Sequence, residues 1–133
     1  MSDYVTDTHA LIWYLEDKDS LGPSASAAFD ACDRGESIIF IPTICQVELI
    51  YLQEKGRIPS ALKKSLDTHL ATGMTGFKMT DLTPSVVAAL ETIPRVLVPD
   101  LPDRIIAATA KALNLPLLSR DRAFRSSELT VIW

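Results

Sequence analysis

The sequence predicts an α/β layer fold, with a mostly parallel central sheet and helices on both faces. Three observations carry that expectation. Short β-prone runs alternate along the chain with stretches of helical apolar spacing. One of those runs, Ser37 to Ile41, is almost continuously apolar, as strands covered on both faces are. Start and stop signals for helices recur between the runs.

Taken in order, Tyr4-Val5-Thr6 is a β-prone run that ends at Asp7. Ala10 to Glu16 has helical apolar spacing, and Gly22-Pro23 punctuates it. Ser24 to Arg34 reads as a second helix, stopped at Gly35. The run Ser37–Ile41 is broken by Pro42. Thr43 with Gln46 three residues later resembles a capping box, so a helix is expected from Thr43 to about Lys55, stopped by Gly56. Pro59 to about Thr72 is expected to be helical, and Phe77-Lys78-Met79 a weak strand. Thr83-Pro84 is an N-cap followed by proline at the first helical position, giving a helix to about Thr92. Pro99 to Pro102 is a turn into a helix from Asp103 to about Leu113. Leu117 to Ser119 and Leu129 to Trp133 are the last two strands.

The chain has 133 residues, 47% of them apolar, which suits one domain over residues 1–133 with a real core and excludes disorder. No repeat or linker shows. There is no basic, secretory-type start and no run of the roughly 20 apolar residues that span a bilayer, so a cytoplasmic protein without a membrane role is expected. Two cysteines, Cys32 and Cys45, give neither a disulfide framework nor metal-ligand spacing and read as buried free thiols. The charge of −4, from 13 basic and 17 acidic residues, argues against bulk electrostatic attraction to nucleic acid.

Ligands of parallel sheets bind beyond the carboxyl ends of the strands. Four acids are expected there. Asp7 follows the first strand, Glu48 lies one turn into the helix after the second, Asp103 sits in the first turn of the helix before Leu117, and Asp121 follows Ser119. Packed together, such carboxylates repel one another unless a cation joins them. Hard divalent ions such as Mg²⁺ or Mn²⁺ are held by a few carboxylates and waters. A pair of them about 4 Å apart can activate water and stabilise a leaving phosphodiester oxygen. Each acid also has a plainer use. Asp7 and Asp103 suit helix N-termini, and Asp121 suits a turn. Glu48 is harder to dismiss, because its neighbours Ile44 to Ile50 look buried.

These residues carry a family resemblance over nearly the whole chain. Val5-Thr6-Asp7-Thr8-His9-Ala10-Leu11-Ile12-Trp13 resembles the first motif of the PIN-domain nucleases, in particular the VapC-type toxins of toxin–antitoxin pairs. Val47-Glu48-Leu49 is similar to the family's helical glutamate segment, Pro102 to Ala110 to its third motif, and Leu117 to Phe124 to its fourth. The segment from Pro59 to Leu97 matches only in length and helical character. Ser119 stands where threonine is common.

The resemblance implies a Mg²⁺- or Mn²⁺-dependent endoribonuclease, with Asp7, Glu48, Asp103 and Asp121 as catalytic, metal-binding acids and Ser119 as a supporting hydroxyl. It also implies a homodimer, an RNA substrate and inhibition by a cognate VapB-like antitoxin.

Other residues stay open. Asp100 is a ligand, a cap or, as favoured, a turn residue. His9 is a general base or, as favoured, a capping or packing residue. Arg104, Arg120, Arg122 and Arg125 either hold RNA phosphates or balance the acids. His69 is expected on a solvent-facing helix. Leu49 to Leu52, with Trp13 and Tyr14, is expected to pack in the core rather than to face a partner. A phosphoacceptor receiver domain is disfavoured, since no Asp ends the second strand. A PIN-like module that binds RNA or protein without cutting is the main alternative.

Overall fold

A computed structural model describes residues 2–133. Five parallel strands are laid out: β1 (Asp3–Thr6), β2 (Ile38–Pro42), β3 (Phe77–Thr80), β4 (Leu117–Leu118) and β5 (Val131–Ile132), in the spatial order β3-β2-β1-β4-β5. Six α-helices connect them: α1 (Thr8–Glu16), α2 (Pro23–Asp33), α3 (Thr43–Glu54), α4 (Leu62–Thr72), α5 (Pro84–Glu91) and α6 (Leu101–Leu113). The expected fold class is the observed one.

Both faces of the sheet are covered. Side chains alternate across a strand, yet the consecutive pairs Val5-Thr6 and Leu117-Leu118 are all fully buried. From β1 the chain crosses outward to β2 and β3, then returns through α5 and α6 to β4 on the other side of β1. The sheet therefore reverses its winding between β1 and β4. The crevice beyond their carboxyl ends is the topological switch point.

Several boundaries differ from the sequence expectation for identifiable reasons. Thr43 is the first residue of α3 and caps nothing; its hydroxyl donates to the Thr80 carbonyl of β3, tying the helix start to the sheet. The helix expected from Pro59 begins only at Leu62, after a turn closed by the Leu62 amide on the Pro59 carbonyl. Helix α6 starts at Leu101, two residues early, because Asp100 is its N-cap and accepts the Asp103 amide. Asp100 is thus a cap rather than the turn residue favoured from sequence. At the other end Asn114 takes the left-handed conformation that stops α6.

The core runs from Phe29, Tyr14 and Phe77 at one end to Ile106, Leu118 and Phe124 at the other. His69 belongs to its edge and not to solvent: it is half-buried, with its ring against those of Tyr14 and Phe77. Helix α3 divides. Cys45 and Leu49 are buried, while Val47, Ile50 and Tyr51 are exposed, so the core reading holds for only one side of it. Both cysteines are buried free thiols. Among the described residues no helix is long and apolar enough to cross a membrane.

Candidate active site

Hydrogen-bond register brings Asp7 and Ser119 together. Thr6 pairs with Leu118 across β1 and β4, and the Asp7 amide donates to the Leu118 carbonyl. The next residue on each strand therefore faces the other across the switch point. The Ser119 hydroxyl donates to Asp7 Oδ2 and accepts the Asp121 amide at 3.0 Å. Asp7 Oδ1 accepts the Ala10 amide at 2.8 Å, which caps α1. One buried serine thus fixes two of the acids, and one of those acids also starts a helix.

Asp7 is only 6% exposed. Burial raises its carboxyl pKa; the Ser119 and Ala10 bonds and the nearby His9 oppose that, and Asp121 adds to it. Asp103 reaches the same place from α6. Its pKa is raised to about 7, chiefly by burial and then by the charges of Asp100, Glu48, Asp121 and Asp7. Among the described residues nothing donates a hydrogen bond to its carboxylate. Asp121 is exposed, and its own carboxylate caps a short 3-10 turn through the Ala123 amide.

An open cleft of about 280 Å³ is lined by Asp7, Asp103 and Asp121 together with His9, Trp13 and Arg120. Three of the four expected acids therefore share one space. Glu48 borders it from α3. It is close enough to raise the Asp103 pKa, but its Oε1 accepts the Thr8 hydroxyl at 2.5 Å, and it lines a neighbouring groove with Val47, Tyr51 and Lys55. With Glu48 turned to Thr8 and Asp7 to Ser119, no three acidic, histidine or cysteine side chains among the described residues form a ready-made cation cage. The four expected ligands are all carboxylates, a donor set that suits a hard divalent cation of the Mg²⁺ or Mn²⁺ type. A cation there would relieve both the burial of the Asp103 charge and the repulsion from its acidic neighbours, which together raise its pKa.

Arg104 stands apart from the other expected basic residues. Its guanidinium donates to the carbonyls of Ile93 and Leu90, which turns the side chain to the end of α5, and it does not line the cleft. Arg120 lines the cleft, and Arg122 and Arg125 are exposed. Sequence reasoning missed the share of Thr8, which holds Glu48. A hydroxyl next to Asp7 was visible, but only the fold shows that α1 and α3 meet there.

The PIN domain family model matches residues 4–128, nearly the whole chain. This chain belongs to the PIN-domain family. The PIN domain described here is also 29% identical over 131 residues to a protein of Mycobacterium tuberculosis named Ribonuclease VapC22, covering 95% of this chain and 92% of that one. Its fold is similar to VapBC2 of Rickettsia felis, solved bound to a promoter DNA fragment, with a TM-score of 0.71 at 16% identity over 98% and 97% of the two chains. It is similar as well to DNA-bound VapBC from Salmonella typhimurium, with a TM-score of 0.69 at 19% identity over 99% and 98%. In this PIN domain the segments carrying Asp7, Glu48, Asp103 and Asp121 all fall inside the matched region.

Proposed function

We propose that this PIN domain is a divalent-cation-dependent endoribonuclease, the VapC-type toxin of a toxin–antitoxin pair. The observation that supports it best is the meeting of Asp7, Asp103 and Asp121 in one cleft at the switch point, where burial first and the neighbouring acids second raise the Asp103 pKa. The relative named Ribonuclease VapC22 supports RNA as the substrate. The VapBC assemblies of similar fold support a VapB-like antitoxin as the partner. Residues 1–133 would act as one nuclease domain, as a homodimer in the cytoplasm.

In this reading Asp7, Asp103, Asp121 and Glu48 hold Mg²⁺ or Mn²⁺. The bound cation would supply Lewis acidity and a more acidic water for phosphodiester hydrolysis. The chain's own residues do the positioning. Ser119 locks the Asp7 carboxylate and the Asp121 backbone in one frame. Asp103, free of hydrogen bonds from the described residues, is the acid able to adjust. Glu48 would exchange its Thr8 bond for the site by a side-chain rotation. Arg120 would hold a phosphate oxygen at the mouth of the cleft.

The alternative, a PIN-like module that binds RNA or protein without cutting, draws on one observation, the engagement of Glu48 by Thr8. The discriminating experiment is cleavage of a mixed pool of structured RNAs by purified protein with Mg²⁺, with Mn²⁺ and with chelator, beside Asp7→Asn. Asparagine keeps the α1 cap, so that variant should fold. Cation-dependent cutting that Asp7→Asn loses is expected. No cutting with either cation, or equal cutting by the variant, would overturn the proposal.

A further inference from the structure

The cleft has an aromatic wall as well as an acidic one. His9 and Trp13 are four residues apart on α1 and so share a face. Their ring centroids are 5.9 Å apart, tilted by 45°. On this helix Leu11, Ile12 and Tyr14 are buried and the half-buried Leu15 packs against the core, whereas the half-buried Trp13 and the exposed His9 line the cleft. A tryptophan kept partly in solvent beside three carboxylates is not explained by core packing.

The ring is also held in place. Trp133 meets Trp13 edge to face at 5.4 Å. The Trp133 carbonyl accepts the Ser24 and Ala25 amides at the start of α2, at 2.9 and 3.2 Å. Gly22 makes this approach possible, since a Cβ there would lie 2.5 Å from Trp133 Cδ1. A ring fixed in advance binds a planar ligand with little ordering cost.

We infer that Trp13, with His9 beside it, is a stacking platform for an unpaired base next to the scissile phosphate. This rests on the nuclease reading above. A phosphate drawn to a cation held by the acids would bring its own nucleoside with it. Aromatic rings take unstacked bases on their faces, and bases inside a duplex are not available for this. At about 280 Å³ the cleft lies just below the roughly 300–1,000 Å³ of ligand pockets, which fits a single base rather than an extended ligand.

The chain has two tryptophans, so Trp133→Phe leaves Trp13 as the only one. Its fluorescence is read, with Ca²⁺ in place of Mg²⁺ or Mn²⁺ so that a hard cation is present while cleavage is slowed, against a single-stranded oligoribonucleotide, its duplex, and versions with an abasic residue at each position in turn. In parallel, kcat/KM for the single strand is measured with Mn²⁺ for wild type, Trp13→Phe and Trp13→Leu, with circular dichroism to confirm folding.

Expected are quenching by the single strand but not the duplex, loss of quenching for one abasic position, and a fall of roughly 5- to 150-fold in Trp13→Leu, largely restored in Trp13→Phe. The abasic series needs no variant at position 13 and decides the matter if Trp13→Leu misfolds. Equal cleavage by folded Trp13→Leu and wild type, or quenching indifferent to every abasic substitution, would overturn the platform and leave the nuclease standing. Absence of cation-dependent cleavage by wild type would instead remove the nuclease reading and the platform with it.

Discussion

The end of β1 and the first turn of α6 each bring an aspartate to the same cleft, and they hold it in opposite ways. Asp7 is buried and bound on both oxygens, by the Ser119 hydroxyl and the Ala10 amide. Asp103 is half-buried, receives no such bond among the described residues, and is surrounded by other acids. In both cases burial raises the carboxyl pKa, but only Asp7 has neighbours built to offset it. The first acid belongs to the scaffold as much as to the site, since α1 starts from it. The second is held at a disadvantage that only a cation or a proton relieves.

That contrast can be broken most sharply by Asp103→Asn. Removing a ligand should reduce RNA cleavage more than the 10- to 100-fold typical of losing a supporting partner, so at least about 100-fold is expected, in single-turnover assays with Mn²⁺. The same variant should leave the cation-free fold intact or more stable at neutral pH. Ser119→Ala acts on the other aspartate. It strips a donor from Asp7 and an acceptor from the Asp121 amide, at a site 1% exposed. Denaturant unfolding should show a loss of about 1–3 kcal/mol, and cation affinity should fall by roughly 10- to 100-fold.

The pH dependence sharpens the comparison further. Asp103 titrates near 7 in the fold against an ordinary value of 3.8, and Asp7 is shifted in the same direction. A raised carboxyl favours the folded state while protonated. Its contribution is complete below about pH 4 and is lost as pH rises through about 7. Cation-free protein should therefore lose stability across that window, with a smaller loss in Asp103→Asn, and saturating Mn²⁺ should reverse the trend. Thermal unfolding at a series of pH values with chelator reads all three.

The smallest expected effect on catalysis belongs to Arg104. Arg104→Ala should destabilise by about 1–3 kcal/mol through the freed carbonyls of Ile93 and Leu90, yet leave the salt dependence of RNA binding as it was. Arg120→Ala should do the reverse, weakening binding and flattening its salt dependence.

The sheet and most helices were legible in the sequence because strand and helix periods are local. Ser37–Ile41 and Thr83-Pro84 announce themselves without any partner. Thr43 did not, because its hydroxyl turns to Thr80 on another strand rather than to its own helix. Asp100 and the turn before α6 look alike in sequence, and only the amide of Asp103 decides between them. Asp7, Asp103 and Asp121 were placed together by reasoning about strand ends. The position of Glu48 depends on Thr8, forty residues away, and the turn of Arg104 depends on where α5 ends. His69 looked exposed because its aromatic neighbours, Tyr14 and Phe77, come from distant segments. What escaped was side-chain direction, which is set by contacts between elements.

The measurement closest to the central claim is Mn²⁺ binding at pH 7.5, followed by electron paramagnetic resonance, in wild type and in Asp7→Asn, Glu48→Gln, Asp103→Asn and Asp121→Asn. If the four carboxylates form one cation site, wild type binds Mn²⁺ and every variant binds it more weakly, Asp103→Asn among the weakest. Wild type that holds no Mn²⁺, or folded variants that hold it as wild type does, would contradict a cation site at the switch point of this sheet.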